Sequence, residues 1–272
     1  MNQVISTKPR TALYVFVVAL FSAAMLLSSC GTDGAAQAEQ APPPEDIIPD
    51  PPPMPTGEPR EPTPVPPPAP SADTNLADAS ATLVATDFEE TPDLSTWEVI
   101  DGTDLVREPS IWEVQDGRLS QISDGDGIPS MYPTALVTGE TDWSNYVVTS
   151  AVYATGNDEV GLVVRANDEG YYVFRLLPAT SGGPTRILSR YDAAAVDYEE
   201  LATSDGDGYE LERWYTLQVA VQGDQIQAFV DGELVLETTD ATLKQGRAGV
   251  YGFALGDLQF DNFTVQALPD TQ

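Results

Sequence analysis

From Leu83 onward the sequence consists of short runs of alternating apolar and polar residues, which Gly and Asp interrupt, with almost no helical periodicity. The runs before Asp116-Gly117 and before Asp231-Gly232 each resume on the far side of the pair. Such a pair predicts a β-hairpin, because a type I′ turn needs positive φ at both central residues. About 13 candidate strands then predict an all-β domain, built as two stacked sheets or as a barrel.

Composition divides the chain before this domain begins. Residues 83–272 contain 34 acidic and nine basic side chains, together with all 20 aromatic residues that lie beyond the first 30. We therefore expect one folded domain over residues 83–268, large enough to bury a core, and a short tail at residues 269–272.

The composition also excludes several kinds of chemistry. The chain has no histidine, which excludes Ser-His and Cys-His nucleophile pairs and imidazole metal sites. One cysteine allows neither an intrachain disulfide nor a thiolate zinc site. The net charge of -31 argues against nucleic acid as a partner, because phosphate contacts need Lys and Arg. Carboxylates, hydroxyls and amides remain, with any calcium that they hold.

The first thirty residues are typical of an export signal. Lys8 and Arg10 precede an uncharged apolar run that ends at Leu27, and Leu27-Ser28-Ser29-Cys30 follows. This ending resembles the lipobox of bacterial lipoproteins. The resemblance implies a signal peptide over residues 1–29 and a lipid (diacylglyceryl, palmitate) on Cys30. It also implies a domain anchored extracytoplasmically at the cell membrane or outer membrane. The alternative is an uncleaved transmembrane anchor.

Residues 30–82 form an acidic, proline-rich segment, in which 15 of the 23 prolines fall between residues 42 and 70. Proline lacks an amide donor and fixes φ, so this stretch predicts extended polyproline II without packing. At roughly 3.1 Å per residue it would hold the domain on the order of 90 Å from the membrane. The alternative is a ligand for proline-reading domains.

The order of several segments is informative about the fold family. These segments are Asp87-Phe88-Glu89, Trp112 to Leu119, Trp143-Ser144-Asn145-Tyr146, Tyr171 to Leu176, Phe229 to Glu233 and Phe260 to Val265. Together they resemble the concanavalin A-like jelly roll of the laminin G type. The nearest branch contains the bacterial 3-keto-disaccharide hydrolase domains and levan-binding carbohydrate modules. The resemblance implies a two-sheet antiparallel jelly-roll sandwich and a carbohydrate partner, and it specifies fold better than activity.

In that resemblance, sugars lie on the concave sheet or at one edge of the sandwich. Strand alternation puts Arg165, Tyr171 and Arg175 together on the face opposite the core, and Arg190 or Tyr191 extends the set. Arginine forks bind hydroxyls or carboxylates bidentately, and aromatic rings stack on sugar faces. These five residues are the candidate ligand-binding set. The alternative is a solvated face on which the surplus carboxylates pair with the arginines.

The resemblance also implies a structural calcium between the first and last strands, with Asp87, Glu89 and Asp261 as the matching carboxylates. Two further Asp-Gly-Asp-Gly stretches, at residues 124–127 and 205–208, do not complete an EF-hand loop and are interpreted as turns.

Catalytic residues cannot be assigned from the sequence. The Glu-x-Asp-x-Glu triplet of related jelly-roll glucanases does not occur. We therefore expect a monomeric, membrane-anchored lipoprotein whose domain binds poly- or oligosaccharide without cleaving it. The alternatives are a glycoside hydrolase of the 3-keto-disaccharide type, and a protein-binding adhesion or structural module.

Overall fold

A computed structural model describes residues 81–89, 94–101, 110–123, 133–253 and 258–270. All of these residues belong to one compact unit of the chain. The predicted signal peptide, Cys30, nearly all of the tether and the turn at residues 124–127 lie outside the described residues. Within the described part of the chain, no helix is long and apolar enough to cross a membrane.

The described residues form fifteen strands in two sheets and one short 3-10 helix, Leu94–Thr96. In spatial order, the eight-stranded sheet contains β13 (Glu233–Thr239), β12 (Gln225–Val230), β11 (Tyr215–Gln222), β6 (Tyr146–Ala154), β15 (Leu258–Ala267), β4 (Arg118–Ser123) and β3 (Ile111–Gln115), with β1 (Ala81–Thr86) also paired to β15.

The second sheet has seven strands. Their spatial order is β10 (Asp197–Ser204), β9 (Arg186–Asp192), β8 (Gly170–Leu176), β7 (Glu159–Asn167), β14 (Arg247–Phe253), β5 (Thr134–Thr138) and β2 (Glu98–Asp101). Neighbouring strands in both sheets pair antiparallel. The predicted two-sheet antiparallel sandwich is confirmed, and the open alternative of a barrel is wrong.

The core lies between the sheets and follows the predicted alternation. Leu162 and Phe174 of the seven-stranded sheet are fully buried in one cluster with Leu217 and Phe260 of the eight-stranded sheet. Burying each such side chain contributes about 1.5–3 kcal/mol. The inward positions of both sheets therefore hold the sandwich together and leave the outward positions available for function.

Two of the predicted hairpin turns have the backbone that their sequences require. Asp116 and Gly117 have φ of 51° and 73°, and Asp231 and Gly232 have φ of 49° and 84°. Positive φ at both central residues is the mark of a type I′ turn, whose twist matches that of the flanking strands. The Asp-Gly signal therefore predicted these two turns correctly.

Candidate functional site

A second apolar cluster lies on the outer face of the seven-stranded sheet, away from the main core. Its buried members are Ala135, Val137, Val163, Ala166, Tyr171, Val173, Tyr191 and Tyr251, and the partly buried Ile100, Tyr198 and Phe253 pack against them. We call this outer face the tyrosine face. An outer sheet face is commonly polar and solvated, so a concentration of aromatic rings there marks a surface with another use.

Three tyrosines from neighbouring strands form the first half of the site. Tyr171 of β8 lies opposite Tyr191 of β9, which lies opposite Tyr198 of β10. The Tyr171 and Tyr191 rings stack with centroids 4.8 Å apart, and the Tyr171 and Tyr198 hydroxyls share a 2.7 Å hydrogen bond. Tyr171 is only 1% exposed, so it supports its partners from below, while Tyr198 keeps part of its surface open.

An arginine and a glutamate form the other half. Arg175 Nη1 donates to Glu159 Oε2 at 3.0 Å, and its Nη2 donates to Ser189 Oγ at 3.0 Å. The guanidinium carbon lies 5.4 Å from the centre of the Tyr198 ring, and the Tyr251 hydroxyl donates to the same Glu159 oxygen at 3.3 Å. The Arg175 and Glu159 side chains are 12% and 21% exposed, so a polar edge of this pair faces outward.

A glycine allows these side chains to converge. Gly161 of β7 lies between Tyr251 of β14 and Arg175 of β8 in the sheet register. A Cβ atom at Gly161 would lie 2.1 Å from the carbonyl oxygen of Phe174, a separation that real Cβ atoms do not show. The position therefore requires glycine, and the space above it is free for the ring and the guanidinium.

A second arginine–glutamate pair lies on the same face. Arg247 Nη1 of β14 donates to Glu98 Oε2 of β2 at 2.6 Å, with side chains 18% and 62% exposed. Within the described residues, the buried Nε atoms of Arg175 and Arg247 have no hydrogen-bond partner. A buried donor without a partner costs about 1–3 kcal/mol, so its presence in a native fold calls for an explanation.

Burial determines the protonation of the tyrosine face. It raises the pKa of Tyr198 to about 12, against the hydrogen bonds and the Arg175 charge that lower it. Burial also raises the pKa values of Tyr171 and Tyr251 well above the ordinary value. For Arg175, burial alone would lower the pKa, but the charge and hydrogen bond of Glu159, together with the interactions with Tyr251 and Tyr198, outweigh burial and the pKa is raised. At neutral pH the face therefore offers protonated hydroxyls and a charged guanidinium.

The structure brings Tyr171, Arg175 and Tyr191 together on this face, but it places Arg165 elsewhere. Arg165 is 1% exposed, and its guanidinium donates to the carbonyl oxygens of Ser144, Gly223 and Leu243. The pairing of β7 with β8 shifts register after Val164, and Arg165 has a φ of 54°. A bulge of this kind turns the side chain away from the face that alternation assigns. The prediction that Arg165 contacts ligand is therefore wrong.

Arg190 is also displaced from the predicted site. It lies opposite the core residue Tyr172 in the sheet, on the face that Tyr191 does not share. Its guanidinium binds Asp240 at 3.2 Å and Glu199 at 2.5 Å. The prediction that Arg190 shares the tyrosine face is wrong. Ion pairs with carboxylates, which the alternative expected, are present at both Arg190 and Arg175.

The carboxylates that the resemblance proposed for calcium lie near one another. Asp261 of β15 is 4% exposed, and burial raises its pKa to about 6, with the charges of Glu89 and Asp87 adding to the rise. Its Oδ1 accepts the Asn262 amide at 2.6 Å. Among the described residues, no group of three His, Cys, Asp or Glu side chains is arranged to hold a metal ion. Calcium at these residues stays a prediction.

Sequence reasoning missed most of the polar partners in the site. These are Glu98, Glu159, Ser189, Tyr198, Arg247 and Tyr251. Alternation within β14 would have placed Tyr251 opposite the core, but the partnership of β14 with β7 depends on a pairing that is distant in sequence. The site is thus assembled from strands whose adjacency the local pattern does not specify.

The fold and this face define a lectin-like β-sandwich. The sequence pattern of the galactocerebrosidase C-terminal lectin domain matches residues 130–268, just over half of the chain. The chain therefore belongs to this family. No curated protein matches the chain.

Solved structures show the same fold at low sequence identity. The carbohydrate-binding module CBM66 from Bacillus subtilis is 15% identical, with a TM-score of 0.50 over 63% of this chain and 96% of that one. A Bacillus subtilis protein of unknown function with a galectin-like fold is 12% identical, with a TM-score of 0.55 over 71% and 98%. A structure from work on endo-acting O-glycanases of human gut microbiota is 10% identical, with a TM-score of 0.50 over 70% and 100%. These identities show the fold alone.

Proposed function

We propose that the domain binds carbohydrate on the tyrosine face, with Arg175 and Glu159 as the polar contacts and Tyr198 as the ring against which the sugar lies. The observation that carries this proposal is the outward edge of the Arg175–Glu159 pair, 3.0 Å across, beside a partly exposed tyrosine. Membership of a lectin-domain family supports it.

The chemistry of the pair suits a sugar diol. A hydroxyl group both donates and accepts, so two neighbouring hydroxyls can accept from a guanidinium and donate to a carboxylate at the same time. The apolar face of a sugar ring packs on an aromatic ring. Tyr171, Tyr191 and Tyr251 are buried in the face and hold the contact residues in position. An organised set of this kind lowers the entropy cost of binding.

Binding is tested with a glycan array and isothermal titration on the wild-type protein and on Arg175→Gln and Glu159→Gln. We expect each variant to lose at least about tenfold in affinity, as removal of a charge-assisted hydrogen bond of 1.5–3 kcal/mol implies. Lys244→Ala is the matched control, because it removes an exposed cation whose partner is Asp224, away from this face. Absence of glycan retention by the wild-type protein would overturn the proposal.

We further propose that a lipid on Cys30 anchors the protein to the cell membrane or outer membrane, with residues 30–82 as the tether. The lipobox-like ending before Cys30 and the proline content of the tether support this. Metabolic labelling with an alkyne analogue of palmitate tests it. Label on the wild type but not on Cys30→Ser, with release of the variant from the membrane fraction, is the expected result. Label that persists in Cys30→Ser would contradict it.

The same preparations discriminate the two alternative functions. Release of 3-keto-glucose from 3-keto-disaccharides would favour a hydrolase, which needs two carboxylates placed across the scissile bond. Retention of cell-surface proteins without glycan retention would favour an adhesion module. In this face Glu159 is engaged by Arg175 and Glu98 by Arg247, an arrangement that serves recognition.

A further inference from the structure

The tyrosine face contains the same polar unit twice. Arg175 with Glu159, and Arg247 with Glu98, are each a guanidinium bound through Nη1 to one carboxylate oxygen. In both, the buried arginine Nε has no partner among the described residues. The buried Nε itself is out of reach of a ligand, but the side chains are partly exposed, 12% and 21% in the first unit and 18% and 62% in the second. Each unit therefore presents a guanidinium edge beside a carboxylate acceptor, the combination that a pair of sugar hydroxyls satisfies.

We propose that the tyrosine face binds a neutral oligosaccharide chain that extends from one arginine–glutamate unit to the other, and that it rejects anionic glycans. This inference rests on the proposed function and names its ligand class.

We expect the ligand to be neutral because the positive charge of each arginine is compensated. Each arginine of the two units is matched by a glutamate, so neither unit presents a net positive charge to a uronate or sulfate group. Residues 83–272 contain 34 acidic and nine basic side chains. An anionic polysaccharide would approach this field against repulsion and would then compete with Glu159 or Glu98 for the guanidinium.

We expect a chain of sugars because the two arginine–glutamate units are too far apart for one sugar ring. Arg247 lies in β14 and Arg175 in β8, with β7 between them. Gly249 of β14 pairs with Val163 of β7, which pairs with Val173 of β8, so these residues form one row across the sheet. Arg247 lies two residues to one side of this row and Arg175 two residues to the other. The Cα atoms of Arg247 and Arg175 are therefore two strand spacings apart across the sheet and four residues apart along the strands, which gives a separation on the order of 15 Å. A single sugar ring cannot reach both units, whereas a short oligosaccharide can.

The outward positions between the two units are filled by residues that pack against one another. Gly249 and Val137 adjoin Glu98 in one row, and Gly161 lies between Tyr251 and Arg175 in the next. Val137 and Tyr251 are at most 1% exposed. At Gly249 a Cβ would lie 2.2 Å from the carbonyl oxygen of Leu136, so this position also excludes a side chain. The floor between the two units is thus closed, and a chain that reaches both units lies on top of it.

The charge preference is tested with matched polymers that differ only in charge. The probes are polygalacturonate against its methyl-esterified form, and chondroitin sulfate against desulfated, carboxyl-reduced chondroitin, together with a panel of neutral glucans, galactans and fructans. We expect retention of neutral members only, with at least about a tenfold preference within any pair that binds. Equal or stronger binding of the charged member would overturn the inference while leaving carbohydrate binding intact.

The length requirement is tested with a series from disaccharide to hexasaccharide of the best neutral glycan. Arg247→Gln should weaken the longer oligosaccharides about tenfold and leave the disaccharide within twofold, whereas Arg175→Gln should weaken both. Lys244→Ala should match the wild type throughout. Equal losses on short and long ligands in Arg247→Gln, or no loss on either, would overturn the two-unit assignment. Absence of binding by the wild type to every probe would instead overturn the proposed function.

Discussion

Replacing Arg165 with methionine should destabilise the domain without weakening glycan binding. The guanidinium makes four hydrogen bonds to three backbone carbonyls, of Ser144, Gly223 and Leu243, at 2.7 to 3.2 Å. Methionine has a similar length and no donor, so the variant leaves these carbonyls without their partner. The bulged backbone at φ 54° is retained, so the change reports on the hydrogen bonds.

The magnitude follows from this geometry. A hydrogen bond from a charged group contributes about 1.5–3 kcal/mol, and three carbonyls lose one. The Ser144 contact is only partly buried, so water can replace part of that loss. A net decrease in the free energy of unfolding of about 3–5 kcal/mol is expected, which is the sum over the three carbonyls less the part that water restores. For a domain of this size it corresponds to a melting temperature lower by about 10 °C.

Urea and thermal unfolding of the wild type, Arg165→Met and Arg213→Met measure this difference. Arg213 is the control, because its side chain is 55% exposed and its carboxylate partners lie at 3.5 and 3.8 Å. Its replacement should change the free energy of unfolding by no more than about 0.5 kcal/mol. If Arg165→Met unfolds like the wild type, or loses glycan binding while it remains folded, the assignment of Arg165 as a structural clamp is refuted.

Three further predictions concern other residues. Because the pKa of Tyr198 is raised to about 12, the stability that its protonated form contributes should be complete below about pH 10 and decline towards pH 12. Tyrosinate absorbance and unfolding experiments over this pH range measure the effect. Titration of all tyrosines near pH 10 in the folded protein would contradict this prediction. If Asp87, Glu89 and Asp261 hold calcium, calcium should raise the melting temperature of the wild type but not of Asp261→Asn. Equal melting temperatures of the wild type in calcium and in chelator would refute the calcium site. Gly161→Ala should lower the free energy of unfolding by about 1–3 kcal/mol and weaken glycan binding, because its Cβ would collide with the Phe174 carbonyl; a variant with wild-type stability and binding would contradict this.

Local patterns predicted the parts of the fold that depend on neighbours in sequence. The type I′ turns at Asp116 and Asp231 need only two residues, and the inward positions of β8 need only strict alternation. Tyr171 and Arg175 were therefore placed on the correct face. The register shift at Arg165 could not be predicted from the sequence. One inserted residue moves the side chains that follow it to the opposite face of the sheet, and no residue type marks such a bulge.

The partners in the site could not be predicted for a different reason. Glu98 meets Arg247 because β2 and β14 flank β5, across 149 positions of sequence. Which strands become neighbours depends on how the two sheets bury their apolar faces against each other, and this packing involves the whole domain. Sequence reasoning could find the arginines as scarce cations, but it could not state which carboxylates neutralise them.

The use of arginine in this domain follows from its acidity. In a field of excess carboxylate, a cation contributes little long-range attraction, and its remaining value is the fixed geometry of its five donors. Arg165 donates to backbone carbonyls and joins three loops, whereas Arg175 and Arg247 each donate to a glutamate in a pair that is partly exposed. Scarcity of positive charge alone therefore does not identify a binding residue. The distinguishing feature is a guanidinium–carboxylate pair with an exposed edge on the tyrosine face, and by that criterion we propose Arg175 and Arg247 as the ligand contacts.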